Sequence, residues 1–455
     1  MLTVESFSDD FLQLHKPYKQ ADSLTDCNYL LAYSGGCDSH VLLHLLSELK
    51  RSGNIKNISA IHVNHQLNKD SNLWAEHCIK QCELLSIPCE VVSVDVDKDS
   101  KLGLEAAARK ARYDAISNFV SKDTFLLTAQ HADDQAETFL LQSLRGSGVK
   151  GLSAMPEVKS FSKGQLTRPL LKTSQVEIYD YAQQHKLEWI EDPSNVNIHY
   201  DRNFLRRRVM PVLKQRWPML HKTIQRVTNH QSEAAELMAE LAQIDLQSLQ
   251  VKSNTISIDA LEKLSVKRQK NVLRYWIHNH MKVSMPDSVH LMRVLNELIP
   301  AEGDGQPEVC WDDVIVRRFN KKLYLDKQVT GSSEGLNDQQ LIWLPEKIYP
   351  FIFDNTQVSL ETRTVLGKGL SRNKLQDKQV TIRFRQGGEV CTPQGRDNHQ
   401  HKLKKLFQEW QVPPWQRNRV PLIFVGDTLA QVVGYCVCEP YVAKLDEMAY
   451  QIVLN

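Results

Sequence analysis

Short apolar runs alternate with stretches of helical period over the first 150 residues. Tyr29–Tyr33, Ile58–Val63, Glu90–Val94 and Phe125–Thr128 have the compact apolar character of buried strands. Between them, Ser39–Lys50, Leu73–Ser86 and Leu104–Val120 repeat apolar residues at helical spacing. This order predicts an α/β fold, a parallel sheet with crossover helices on both faces. Ligands of such sheets bind beyond the carboxyl ends of the strands, so that edge is where unusual residues matter.

Further along, a helix is expected from Thr173, then an irregular passage from Glu191 to Arg208 that runs from acidic to basic. Beyond Pro218 the pattern changes. His221–Gln250 reads as a long polar-rich helix, followed by a short strand at Thr255–Ile258 and a helix through Asp259–His280. Residues 328–342 are small and polar, the composition of a linker. Strand-like runs return at Val380–Phe384, Val420–Val425 and Leu429–Tyr435. Three domains are therefore expected: residues 1–218, a mostly helical 219–327, and a small mixed α/β domain over 343–455. No internal repeat is visible.

Composition narrows the class without choosing a partner. In 455 residues, 56 Lys and Arg nearly cancel 54 Asp and Glu, and 42% of the chain is hydrophobic, which excludes a disordered or supercharged protein. Local basic patches, rather than the net charge of +2, decide whether nucleic acid binds. The nine cysteines are odd in number and scattered, which argues against a disulfide framework. The closest pairs, Cys78-x3-Cys82 and Cys436-x-Cys438, are neither a CxxC redox pair nor half of a zinc ribbon. Met1 to Asp10 carries acids and lacks the apolar core of a signal peptide, and no stretch offers 18 uncharged apolar residues. A cytoplasmic protein with no membrane partner is expected.

The sharpest local signal is Ser34-Gly35-Gly36-Cys37-Asp38-Ser39, directly behind the first strand and opening a helix. Paired glycines permit tight turns that bring amide N–H groups to an anion, and the helix N-terminus adds unpaired donors. Ser34 and Ser39 have hydroxyls for phosphate oxygens. Asp38 makes best sense as a magnesium ligand or a helix cap, and Cys37 as a small space-filler. The plainer alternative is a Gly-Gly turn with a Ser/Asp cap. The complete string behind an opening strand weighs against it. No G-x4-G-K-[ST] and no G-x-G-x-x-G is present, so neither a Walker site nor a dinucleotide site is indicated.

The string resembles the SGGxDS pyrophosphate loop (PP-loop) of the N-type ATP pyrophosphatases. Four further strings resemble one branch of that superfamily, the tRNA(Ile)-lysidine synthetases. They are His62-Val63-Asn64-His65-Gln66-Leu67, the helix Gly103 to Tyr113 containing Glu105-Ala106-Ala107-Ala108-Arg109, the run Thr128 to Thr138, and Glu191 to Arg206. Their order and spacing agree over about the first 215 residues. Lys404-Lys405-Leu406-Phe407-Gln408-Glu409 with Val412-Pro413-Pro414-Trp415 resembles the same family's final domain. Gln130, Asn68 and Asn197 depart from the family strings. Gln130 cannot titrate near neutrality, which moves any general-base role to His131 or the acids.

The resemblance implies a PP-loop nucleotide-binding domain that uses ATP and Mg2+. It implies ligation of free lysine to the 2-position of the wobble cytidine in a tRNA(Ile) with anticodon CAU. Adenylation makes the cytosine oxygen a leaving group, and AMP and pyrophosphate are released. Asp133, Asp134 and Glu137 lie within one helical turn and suit magnesium, a lysine ammonium, or a proton from the attacking amine. An acidic first turn stabilised by the helix dipole is the plainer reading of the same residues. Asp38 and Asp134 are the expected metal ligands, and Asp38 and Glu137 are expected at the solvent-accessible strand edge.

Arg109, Arg112 and Arg206 are expected to neutralise phosphate during catalysis, and Arg202 and Asn203 to contact tRNA. Six Lys or Arg against one acid between Asp201 and Arg216 fit RNA contact, with a solvated helix face as the alternative. His62 and Asn64 are assigned to the nucleotide, a structurally satisfied histidine being the other possibility. Lys404 and Lys405 are expected on the tRNA backbone. Trp410 and Trp415 read as core anchors ahead of stacking platforms. Two rival functions stand beside this one: a tRNA 2-thiolation enzyme of the same superfamily and a non-catalytic ATP- and tRNA-binding module. The helical middle segment leaves a homodimer open.

Overall fold

The apolar runs of the first half pair into one six-stranded sheet. Its strands are β1 (Asn28–Ala32), β2 (Asn57–Asn64), β3 (Cys89–Ser93), β4 (Thr124–Leu127), β5 (Val158–Phe161) and β6 (Gly164–Thr167). Their order is β3-β2-β1-β4-β6-β5, and only the β5 edge is antiparallel. The computed structural model describes residues 1–18, 27–97, 99–100, 103–193, 197–249, 254–281, 286–301, 307–327, 340–353, 356–396 and 399–454. The described chain forms two compact units, Met1–Leu237 and Met238–Asn455.

Alternation along β1 explains why both faces of the sheet are covered. Tyr29, Leu31 and Tyr33 enter one core with Phe7, Phe11, Cys78 and Ile178, while Leu30 enters a second with Ile116, Val120 and Leu166. The first core is covered by the helices α1 (Val4–His15), α2 (Cys37–Arg51) and α3 (Ser71–Leu84), and the second by α4 (Leu104–Ser117). In α2, Leu42, Leu43, Leu45, Leu46 and Leu49 are all fully buried, each stabilising by roughly 1.5–3 kcal/mol. Order in the sheet reverses direction between β1 and β4, and the crevice at that switch point is the usual ligand position. The β5–β6 hairpin carries no apolar run. A Cβ at Gly164 would run into the Thr124 carbonyl, so glycine lets the hairpin pack against β4.

The second unit also contains strands that the pattern of 219–327 does not announce. Beside the helix Val266–Met281, the expected strand Thr255–Ser257 joins three unannounced ones, Glu308–Trp311, Val314–Phe319 and Lys322–Lys327, in an antiparallel sheet. Arg317, Arg318, Lys321 and Lys322 mask its alternation. Its turns are sharp, with positive φ at Asp312, Asn320 and Lys321. Residues 328–339 of the expected linker lie outside the described residues, and Leu341–Ile342 pairs with Val380–Arg383. That strand opens a five-stranded sheet with Leu422–Val425, Thr428–Val432 and Cys436–Val437. Beside it in sequence, Thr356–Leu366 pairs with Tyr349–Phe353 and Met448–Leu454. Among the described residues no helix is long and apolar enough to cross a membrane.

Buried histidines make the first unit acid-sensitive, and His15 is the most enclosed of those whose pKa burial lowers. His15 is fully enclosed, with Nδ1 2.7 Å from the Phe11 carbonyl and Nε2 3.1 Å from the Thr167 hydroxyl. Burial pushes its pKa down from 6.5 to about 4. Below pH 6.5 the unfolded chain therefore binds a proton that the folded ring refuses until about pH 4, and stability falls across that window. His15→Phe should make this acid limb shallower in denaturation midpoints measured from pH 7 to pH 4, leaving the share of His40 and His65. An unchanged slope would show that His15 does not set it.

Candidate active site

The glycine string forms a tight loop between β1 and α2. Gly35 has φ +82°, and a Cβ there would lie 2.8 Å from Ile190 Cδ1 and 2.9 Å from Cys78 Sγ. Backbone curvature and side-chain packing therefore both require glycine. Gly36 caps α2 in an extended conformation with no side-chain hydrogen bond to the first turn. Its helix N-terminus thus keeps its amide donors for an anion. Ser34 Oγ and Ser39 Oγ are 3.0 Å apart, and Ser39 Oγ donates to the Gly36 carbonyl at 2.9 Å. Burial pushes the half-buried Cys37 thiol up to about 12, so it is no nucleophile.

Asp38, in the first turn of α2, faces the start of α5 (Ala132–Leu144). Its Oδ2 lies 3.6 Å from Nε2 of buried His131, which is also 3.5 Å from Asp134 Oδ2. His131 caps α5 reciprocally with Asp134: the Asp134 amide donates to His131 Nδ1, and the His131 amide to Asp134 Oδ2. Burial lowers the His131 pKa, but the surrounding Asp134, Asp38 and Asp133 carboxylates prevail and raise it above the ordinary value.

The three acids of α5 are placed differently from the sequence expectation. Asp133, Asp134 and Glu137 are buried rather than open at the strand edge, and each already holds cations. Glu137, 2% exposed, accepts from Arg202 Nε at 3.1 Å and from Arg206 Nε at 2.7 Å. Asp134 Oδ1 accepts from Arg202 Nη2 at 3.0 Å and Arg206 Nη2 at 2.8 Å. Asp133 pairs with Lys214 and accepts from the Gln175 amide at 2.8 Å. Burial works to raise the Asp134 pKa, yet the charges of His131, Arg202 and Arg206 hold it below the usual carboxylate range. Asp133 is likewise held low against burial, chiefly by Lys214 and the Gln175 amide.

Arg202 and Arg206 reach these acids from one side of a helical segment that widens into a π-turn at Leu205–Val209. Pro211 follows, and its missing N–H and ring clash with residue 207 account for the wider turn. The sequence places both arginines on one face, but their carboxylate partners lie 65 or more residues earlier.

A cavity of about 560 Å³ opens beyond the carboxyl ends of β1 and β2. Ser34, His62, Asn64, His65, Arg112, Tyr200 and Asn203 are among its lining residues. His62 Nδ1 donates to the Tyr33 carbonyl at 3.0 Å, and Asn64 holds the following turn by accepting from the Gln66 amide at 2.9 Å. Both line the cavity while supporting its wall. Burial, aided by the adjacent Arg112, pushes the His65 pKa down to about 4. Its neutral ring accepts from Arg112 Nε at 3.2 Å, and its Nδ1 is buried with no hydrogen-bond partner among the described residues. Arg109 stands apart from this wall, with its guanidinium 5.0 Å from the Tyr113 ring centroid.

The second unit presents Lys404 and Lys405, both exposed, on the helix Leu403–Glu409. Trp410 stacks on Tyr435, and Trp415 packs edge-on against Phe319 and Tyr324. Both rings are thus engaged within the unit.

The sequence matches the PP-loop domain family over residues 5–213, the TilS substrate binding domain over 256–324 and the TilS substrate C-terminal domain over 380–454. A tRNA(Ile)-lysidine synthase of Coxiella burnetii is 41% identical, over 94% of this chain and 93% of its own length. The chain belongs to the tRNA(Ile)-lysidine synthase family. Family members from Legionella pneumophila (strain Paris) and Pectobacterium atrosepticum are 38% and 40% identical. These cover 94% and 89% of this chain, and 95% and 89% of their own.

Sequence reasoning about the tRNA(Ile)-lysidine synthase motifs found the loop, the acids and the arginines. It gave His131 only a secondary place, yet that ring joins Asp38 to Asp134, and it overlooked Lys214 as the partner of Asp133. The His131-x-x-Asp134 spacing of a reciprocal helix cap was the available signal for the first. In the loop, Gly35→Ala should lower stability by about 1–3 kcal/mol through left-handed backbone strain and overpacking. Chemical denaturation and ATP titration would check this; a variant with unaltered midpoint and affinity would show that the loop tolerates a side chain.

Proposed function

We propose that this chain ligates free L-lysine to the 2-position of the wobble cytidine of a tRNA(Ile) with anticodon CAU, using ATP and releasing AMP and pyrophosphate. The observation that carries the reading is the Ser34–Ser39 loop, its uncapped helix end adjoining a nucleotide-sized cavity beyond the carboxyl ends of β1 and β2. In this reading the adenosine enters the cavity, where the unpartnered Nδ1 of His65 and the guanidinium of Arg112 meet it. His62 and Asn64 shape its wall. The phosphates lie across the amides of Gly35, Gly36, Cys37 and Asp38 and the hydroxyls of Ser34 and Ser39.

Asp38 is the carboxylate that fits Mg2+. It is 38% exposed, an oxygen donor beside the loop, and has no arginine or lysine on it among the described residues. Asp134 would join it only after giving up contacts to Arg202 and Arg206. Bound Mg2+ would neutralise phosphate charge as pyrophosphate leaves. The acids of α5 form the anionic side, where Lys214 already places an ammonium on Asp133, the interaction that substrate lysine would make. Their arginines, Arg202 and Arg206, with Asn203, turn toward tRNA at the rim, and Arg109 extends the basic surface of α4. With the cytidine adenylated, the lysine amine attacks C2, AMP departs, and an acid of this cluster takes the amine proton.

Pyrophosphate release assayed with tRNA, with and without lysine, separates the alternatives. Lysine-dependent completion of turnover is expected; a thiolation enzyme would ignore lysine, and a binding module would release nothing. Lys404 and Lys405 grip the tRNA backbone in this account. Lys404→Glu with Lys405→Glu should weaken tRNA binding and reduce the slope of log K against log salt by about 1.4–1.8, the loss of two phosphate contacts. An unchanged slope would remove this patch from the interface.

A further inference from the structure

Three thiols, Cys391 and a pair some 45 residues later, meet in the second unit. Cys391, Cys436 and Cys438 bring their Sγ atoms within 4.8 Å of one another, the one such group of metal-capable side chains among the described residues. Cys436 and Cys438 are two apart along extended chain, so both thiols fall on one side of it. Cys391 comes from Val390–Cys391, and the two segments are tied together. The Gln394 amide donates to the Val437 carbonyl at 3.1 Å, and the Glu439 amide to the Thr392 carbonyl at 2.7 Å. Cys391 and Cys438 are buried, and Cys436 is half-buried, leaving an approach from solvent.

We propose that Cys391, Cys436 and Cys438 form a thiolate site for a soft divalent cation of the zinc class, which fixes this part of the second unit. Tetrahedral zinc takes sulfur at about 2.3 Å, placing thiolates roughly 3.8 Å apart, so a small contraction of the present cluster suffices. A soft cation is selected because all three donors are sulfur. His401 pairs with Cys391 across the strands but lies outside the group, so the fourth position falls to water on the side where Cys436 is half-buried. Binding releases a proton from each thiol, and three thiolates around a divalent cation leave one net negative charge. A disulfide accounts for the cluster less well, since any pairing leaves the third thiol unused.

The test is titration of the full chain, reduced and stripped with a chelator, first with Co2+ and then with Zn2+. One Co2+ per chain should bind with a thiolate-to-cobalt charge-transfer band, and Zn2+ should displace it. Cys436→Ser should diminish the band, through the missing thiolate and weaker binding, whereas Cys82→Ser, remote in sequence and in the other unit, should leave it unchanged. If Cys436→Ser does not fold, the intensity of the wild-type band still reports the number of thiolates. Absence of a stoichiometric band in the reduced wild-type chain, or an undiminished band in folded Cys436→Ser, would overturn the proposal.

Discussion

Asp38→Ala is expected to cost about 10²–10³-fold in ATP-dependent turnover, the scale of losing one pre-organised charge-stabilising group. Folding should change little. Asp38 is partly exposed, and among the described residues its ionic partner is His131, 3.6 Å away. A charge in the first turn of a helix contributes only about 0.3–1 kcal/mol. Asp38→Asn sharpens the comparison, because it keeps the side chain's shape and removes the charge that Mg2+ needs. Rates measured with saturating ATP, beside denaturation midpoints for both variants, decide the matter. Full activity in Asp38→Asn would reduce Asp38 to a helix-end residue.

Glu137→Ala should destabilise the first unit by about 3–5 kcal/mol, the cost of breaking a buried ion pair by removing one partner. Glu137 is enclosed and holds two guanidinium groups, so its loss leaves Arg202 and Arg206 sharing Asp134 alone. Glu137→Gln should fall between the variant and the parent, since the amide fills the space without the charge. Activity and the denaturation midpoint should fall together here, unlike at Asp38. A midpoint unchanged in Glu137→Ala would mean that the arginines find other partners and that the network carries no fold stability.

Much of the first unit is legible in the sequence because its determinants are local. Continuous apolar runs mark β1, β2 and β4, and the glycine string marks where β1 must turn into α2. The β5–β6 hairpin escapes because its strands are short, polar and at an edge, with packing rather than pattern placing Gly164 against β4. The strands between Glu308 and Lys327 escape for a related reason, since basic residues on their exposed side blur the alternation.

At the site, residue types are legible and their ionic partners are not. Asp133, Asp134 and Glu137 share a helical turn by spacing, but burial and the arrival of Arg202, Arg206 and Lys214 depend on a chain segment some 65 to 80 residues later. An acidic turn that looks open in sequence is thus largely neutralised in the fold, and Asp38 remains as the accessible carboxylate. The same limit hides the thiol cluster: Cys436-x-Cys438 fits no familiar spacing until Cys391 is brought beside it.

The most direct test of the central claim is incorporation of radiolabelled lysine into a tRNA(Ile) transcript with a CAU anticodon, with and without ATP. Label that is ATP-dependent and ribonuclease-sensitive is the predicted result, and it should vanish in Asp38→Ala. AMP and pyrophosphate formed on tRNA without any lysine label would contradict it, leaving the adenylating site in place with a different nucleophile.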